Sequence, residues 1–472
     1  MANSRIRQDI WTLSREATWH PVIRAYARAV GVLKSRDGAP GHRVDPTSWS
    51  YQTAIHWDDT APAADEFRNK CQHGTWFFLP WHRMYLFHFE AILRAVIEQD
   101  AAIDDDTKAT WALPYWNYSK DAQALLLPPA FADPMLDGER NPLFDSTRFL
   151  NNGESLDPRA VLIGAALRPR RFATSNIAQG FAGSKTGFMH YQRKGGGPLE
   201  AAPHGSVHNS VGVNMSQLDT APADPIFWLH HANIDRLWQV WLGTGHGRAN
   251  TTDPDWLTGQ RFRFHDSAGT EVTMTSGQVL NTAAQLGYTY EDTSAPLEGE
   301  AMEPEPDHPA QLVGATDKPV QLTGNTASVR FPIGTPAGPL AAEAEPSRVY
   351  LQLDDLTSPD VPRVPYAVYL NVPDDDPATP DDHYVGTAST FGIERIGDPR
   401  ADHPEGMQLV FDITDLYRSL KAKGEWSNRV SVRFVPLYVR PPAVEPEAEQ
   451  RVAGARQQPG TVDIGQVSVH FQ

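Results

Sequence analysis

His204 and His208 lie four residues apart in PHGSVH, a spacing that places two imidazoles on one face of a helix. His82 falls on the stripe His82, Leu86, Phe89, Leu93. His231 falls on the stripe Phe227, His231, Ile234, Trp238, Trp241. Both stripes have the +3/+4 period of an amphipathic helix. One histidine on an apolar stripe is ordinarily a hydrogen-bonded core residue. Several of them, joined by His56 and His73, make two groups: His56, His73, His82 and His204, His208, His231. An all-imidazole set suits copper, zinc, iron or nickel, and spacing alone does not choose among them. The single cysteine, Cys71, stands against 17 histidines, which excludes a disulfide framework and a thiolate zinc site.

Three helices must carry these side chains. Pro80 and Asp224-Pro225 are start signals for the two long stripes, and Pro203 opens a short helix with His204 and His208 on one face. The Trp-, Phe- and His-rich texture ends near residue 290. Residues 291–320 hold eight acidic residues against one lysine, with Pro296, Pro304, Pro306 and Pro309, which is linker composition. Beyond it, RVYLQL, VPYAVYLN, QLVFDI, RVSVRFVPL and GQVSVHF alternate or run β-branched, separated by acidic Pro-rich turns such as 374–380. The expected layout is a mainly α domain (1–295), an acidic linker (296–315) and an all-β sandwich or Greek-key barrel (316–472). No repeat of 20–50 residues is visible.

The 472-residue chain has 41 basic and 58 acidic residues, a net charge of −17, which disfavours a general nucleic-acid or anionic-membrane role. The N-terminus lacks an apolar segment behind a basic start, and no window approaches 18 consecutive apolar residues. The expectation is a soluble, cytoplasmic protein with neither signal peptide nor membrane span.

The segment HGTWFFLPWHRMYLFHFE, His73 to Glu90, resembles the first copper signature of the tyrosinase, polyphenol oxidase and haemocyanin family. DPIFWLHHANID, Asp224 to Asp235, resembles the second. RQDIWTLS, SYQTAIHW and PHGSVH are similar to further stretches of that family, and PYAVYLN and TVDIGQVSVHF to the β-rich C-terminal domain of its plant members. The resemblance covers most of the chain, strongly to about residue 245 and weakly after it. It implies a four-helix bundle around two coppers that cycle between Cu2+ and Cu+ with O2 as co-substrate. His56, His73 and His82 would hold copper A; His204, His208 and His231 would hold copper B. The motif assigns the ligand of the pair His230-His231 to the second, and the helical stripe selects the same residue. His230 then points about 100° away, and His88 is off the ligand face.

Further roles follow from the same resemblance. Asp235, or Glu90, would orient an imidazole by accepting its other N–H, with a salt bridge to Arg83 or Arg236 as the alternative. Cys71, two residues before His73, sits as in the fungal members that bond a cysteine sulfur to this histidine, here Cys71 Sγ to His73 Cε1. Glu200 takes the place of a glutamate proposed in the family to hold a water as base. Its partner asparagine is replaced by Gly205, so a strong diphenolase with weaker monophenol hydroxylation is expected. Leu218, with Met215 upstream, occupies the place of a gate residue, and Asn209, Arg193 and Lys194 are candidates for substrate contact. The C-terminal domain would cover the site, with Phe391 as plug and proteolysis in the linker as release. The function implied is oxidation of o-diphenols to o-quinones. An o-aminophenol oxidase and a haemocyanin-like oxygen carrier are the alternatives. The partner is a small phenol; a homo-oligomer and a copper-delivery partner are left open.

Overall fold

The two histidine stripes form the two longest helices of the structure. It is a computed structural model that describes residues 4–38, 44–62, 64–175, 177, 179–188, 195–294, 309–334, 345–373, 379–393, 406–442 and 457–472. Strand β1 (Arg5–Arg7) precedes helices α1 (Pro21–Ser35), α2 (Trp49–His56) and α3 (Phe78–Gln99). Pro21 suits the first turn of α1, where its missing N–H costs nothing. Ser48 caps α2 by accepting the Tyr51 amide at 3.3 Å. Helix α3 starts at Phe78, two residues ahead of the expected Pro80. Glu200–Gly205 winds, with a break at Ala202, into α4 (Ser206–Val211). Helix α5 (Ile226–Gly243) starts where Asp224 accepts the Ile226 amide at 2.9 Å and pairs with buried Arg148. Helix α3 packs against α1 and α5, and α1 against α2. Strands β2 (Phe262–His265) and β3 (Glu271–Met274) form an antiparallel ribbon. Strand β4 (Tyr288–Tyr290) pairs in parallel with β1, tying the start of this helical region to its end.

Beyond residue 309 the period changes to two. The strands are β5 (Gln311–Ala315), β6 (Val320–Leu322), β7 (Ala327–Pro332), β8 (Val349–Thr357), β9 (Tyr366–Leu370), β10 (Tyr384–Ala388), β11 (Met407–Asp412), β12 (Arg429–Pro436) and β13 (Val462–Phe471). One sheet has the order β11-β8-β13-β5, with β6 also on β13; the other has the order β10-β9-β12-β7. On β12, Val430, Val432 and Phe434 point inward while Ser431 and Arg433 do not. They meet Leu351, Leu353, Val467 and Val469 of the first sheet in one apolar core.

Two details depart from the expected layout. A ten-residue helix, α6 (Thr414–Lys423), interrupts the region read as all-β; its Leu420 and Tyr417 are buried while its lysines are exposed. Strand β5 lies in the segment read as linker, because Leu312 and Gly314 pair with β13. Residues 295–308, most of that linker, and part of the 374–380 turn lie outside the described residues.

The two regions share a dense seam. Ser155 and Arg440 exchange backbone hydrogen bonds at 2.8 Å, and Arg440 also pairs with Asp157 at 2.7 Å. Thr387 donates to the Arg159 carbonyl at 2.8 Å, and Arg159 pairs with Asp381 at 3.0 Å. Phe391 and Val439 of the C-terminal region are buried in the large core of the helical region. Among the described residues no helix is long and apolar enough to cross a membrane.

Candidate metal centre

Five structural pieces bring the histidines together. His56 ends α2, His73 lies in the loop before α3, and His82 sits in the first turns of α3. His204 and His208 straddle the start of α4, and His231 lies on α5. Each set, His56/His73/His82 and His204/His208/His230/His231, offers ligand nitrogens within 4.8 Å of one another. All are buried. The sets adjoin: the His82 and His231 rings stack at 4.5 Å and 13°.

The Nδ1 atoms are held from behind by backbone. His56 Nδ1 donates to Leu218 O at 2.8 Å, His82 to Phe78 O at 2.8 Å, His204 to Glu200 O at 3.0 Å, and His208 to Met215 O at 2.7 Å. Such bonds fix ring orientation and leave Nε2 as the free lone pair. The Nε2 atoms of His82 and His204 are buried with no hydrogen-bond partner, and those of His208 and His231 face each other at 3.2 Å. Buried nitrogens aimed at one another in this way are what a metal would satisfy. Burial, then mutual repulsion, holds His73, His82, His208 and His231 well below the ordinary imidazole range; burial pulls His204 down to about 3. Neutral imidazoles are the form that ligates.

Cys71 is buried, and its Sγ is 3.2 Å from His73 Nδ1, the ring atom next to Cε1. Glu200 accepts the Gly74 amide at 2.7 Å, and burial pushes its carboxyl up to about 8. It lines a cavity of about 370 Å³ together with His73, His204, Leu218 and Phe391. Met215 is buried in the core and is not part of that lining. The carbonyls of Met215 and Leu218 orient His208 and His56. No side-chain pattern marks such a role.

Asp235 does not orient an imidazole. Its carboxylate accepts from Arg83 Nε at 2.5 Å, Tyr288 OH at 2.6 Å and Tyr290 OH at 2.5 Å, with Arg7 at 3.4 Å. Burial works to raise its carboxyl, but Arg83, Arg7 and the two hydroxyls keep it below the usual carboxylate range. Glu90 pairs with Arg7 at 2.7 Å. Backbone carbonyls already take four of the imidazole N–H groups, and two arginines need a counter-charge.

His230 does not turn away from the cluster. Its ring lies 4.8 Å from that of His208 and 5.5 Å from that of His204. Helix α5 is buried on all sides along Ile226–Trp238, so a rotation of about 100° still points inward, toward the chain around α4. His88 is away from the cluster as expected, stacked on Phe264 at 5.2 Å with Nε2 3.2 Å from Met274 Sδ. Asn209, read only as a substrate candidate, binds the C-terminal region. Its Oδ1 accepts Ser389 Oγ at 3.0 Å and the Thr390 amide at 3.1 Å, and its Nδ2 donates to Pro362 O at 2.9 Å. The Phe391 ring lies parallel to that of His208 at 4.0 Å and edge-on to His204 at 5.6 Å. Arg193 and Lys194 lie outside the described residues.

With that geometry in hand, comparison with known proteins is decisive. The common central domain of tyrosinase matches residues 46–160 and 139–244. A tyrosinase of Hahella sp. (strain CCB-MM4) is 32% identical over 99% of this chain and 99% of its own. The chain belongs to the tyrosinase family. As a member of the tyrosinase and polyphenol oxidase family, it is an oxidoreductase that oxidises phenols with copper. Similarity continues past the central domain: the polyphenol oxidase middle domain matches residues 250–300, and a domain of unknown function matches 309–472. A chloroplastic polyphenol oxidase of Malus domestica is 29% identical, covering 84% of this chain and 70% of its own. The fold is that of the solved latent apple tyrosinase, with a TM-score of 0.67 and 24% identity over 100% of this chain and 98% of that one. The tyrosinase fold here is thus a helical core with a β-rich C-terminal region.

Proposed function

We propose that this tyrosinase-family chain oxidises o-diphenols to o-quinones at a dinuclear copper site. His56, His73 and His82 hold copper A, and His204, His208 and His231 hold copper B. Each diphenol gives up two electrons and two protons, and O2 is the acceptor. The observation that carries this reading is the pair of adjoining buried imidazole sets with backbone-anchored Nδ1 atoms and unpartnered or opposed Nε2 atoms. When bound, copper supplies O2 binding and the electron transfer. The chain's own residues hold the imidazoles neutral and pre-oriented, so little reorganisation accompanies the reaction.

Glu200 is the proton acceptor for a phenol entering the cavity. A carboxylate raised to about 8 by burial is a stronger base than a surface acid, though less populated at neutral pH. Gly205 offers no amide to fix a water beside it. Monophenol hydroxylation, which needs that proton removed first, is therefore the weaker activity. Comparing the rate on a simple phenol with that on its matching catechol tests this; equal rates overturn it.

The helices α1, α2, α3 and α5 are read as a four-helix bundle, and the two sheets as a sandwich that covers the site as a shield. Support comes from Phe391, stacked on His208 inside the helical core, and from the fold shared with the latent apple enzyme. Cleavage in the acidic segment at 291–316 releases the shield. Activity measured before and after limited proteolysis tests it; no gain argues against shielding.

A further inference from the structure

The C-terminal region touches the copper B helix at a spot where the helical region has no side chain. Gly205 faces Ser389: a Cβ built on Gly205 overlaps Ser389 Oγ, lies 3.0 Å from Ser389 Cβ and lies 3.3 Å from the Glu200 carbonyl. Turning Ser389 aside would not relieve this. Its Oγ donates to Asn209 Oδ1 at 3.0 Å and accepts the Phe391 amide at 3.2 Å, so rotation breaks both bonds. Its Cβ stays in the way in every rotamer. Asn209 also accepts the Thr390 amide at 3.1 Å. Ser389, Thr390, Gly205 and Asn209 are all buried.

We propose that Gly205 and Asn209 form the seat that recognises Ser389–Phe391, and that the missing side chain at 205 is what lets the C-terminal region close. The aromatic ring of Phe391 fills the mouth, while the Gly205–Ser389 fit sets whether it can arrive there. The glycine has a second consequence: the residue that offers the base no side-chain amide is the one that admits the shield. This rests on the reading of the C-terminal region as a shield of the site.

The test uses the full chain, with Gly205→Ala, Ser389→Gly and the double variant beside the parent. Two quantities are read. One is the ratio of catechol oxidation after limited proteolysis to that before it, each protein normalised to its own cleaved form. The other is amide hydrogen exchange at 384–393 in metal-free protein, which needs no activity. One overpacked methyl lowers the closed-to-open equilibrium by about five- to a hundredfold. Gly205→Ala is therefore expected to bring the ratio towards one and to speed exchange at Thr390 and Phe391 by a similar factor. Ser389→Gly in the same chain removes the overlap and is expected to restore both, which shows that Gly205→Ala folds. Parent-like exchange and ratio in Gly205→Ala overturn the proposal, as does a double variant no more protected than Gly205→Ala. If the parent's own ratio is already one, the shielding reading fails. Faster exchange in Gly205→Ala then still supports the seat, and unchanged exchange sinks it.

Discussion

The Cys71–His73 pair carries the sharpest prediction at the scale of single residues. Sγ lies 3.2 Å from His73 Nδ1, beside the Cε1 to which we assign a covalent bond. Closing that S–C bond removes two hydrogens, taken up by the copper and O2 chemistry the enzyme already runs. Intact mass of copper-loaded, aerated protein is expected to fall by about 2 Da relative to protein never exposed to copper. Under denaturing conditions its thiol should then be unreactive. A fully reactive Cys71 sinks the assignment. Glu200→Gln is expected to lower monophenol hydroxylation about 100-fold or more while catechol oxidation falls less than about tenfold; equal losses would make Glu200 a structural residue. The clustering of His82, His204, His208 and His231 was legible from helical period and motif together, and that of His56 and His73 from the motif alone. For Asp235 only the alternative of a salt bridge to Arg83 was legible; its partners Arg7, Tyr288 and Tyr290 arrive from strands remote in sequence, and periodicity does not report what lies across a packed face.

Helices α3 and α5 are joined one turn beyond His231 by Asp235 and Arg83, with Arg7 of β1 and the tyrosines of β4 closing the cluster. Removing one partner of a buried ion pair typically costs about 3–5 kcal/mol. Asp235→Asn should therefore lower the melting temperature strongly, yet leave the folded fraction binding as much copper as the parent. Loss of copper from well-folded protein would return Asp235 to an imidazole-orienting role. The sheet elements were legible from alternation, as in Val430, Val432 and Phe434. Helix α6 was masked by its neighbours, because TDLYRSLKAK is a short amphipathic stretch between two strong strand patterns. The carbonyls of Met215 and Leu218 were illegible for a plainer reason: every residue has one, and only the loop's path decides which face a histidine.

Over the whole molecule, the buried imidazoles set how the metal-free protein responds to acid. His73, His82, His204, His208 and His231 stay neutral in the fold far below the pH at which they protonate in the unfolded chain. Below about pH 6.5 the unfolded state binds more protons, so stability falls with falling pH, by up to about 1.4 kcal/mol per pH unit for each such group. Denaturant unfolding of the metal-free protein from pH 7.5 to pH 4.5 should show this steep loss. A flat profile would mean the imidazoles are not buried as described. Copper titration of the metal-free chain tests whether the two imidazole sets act as one site. Bound copper per chain and catechol oxidation by the proteolysed form are read on the same samples. Saturation is expected at two coppers per chain, with oxidation rising as the second binds. Saturation at one copper, or two bound coppers without catechol oxidation, would contradict it.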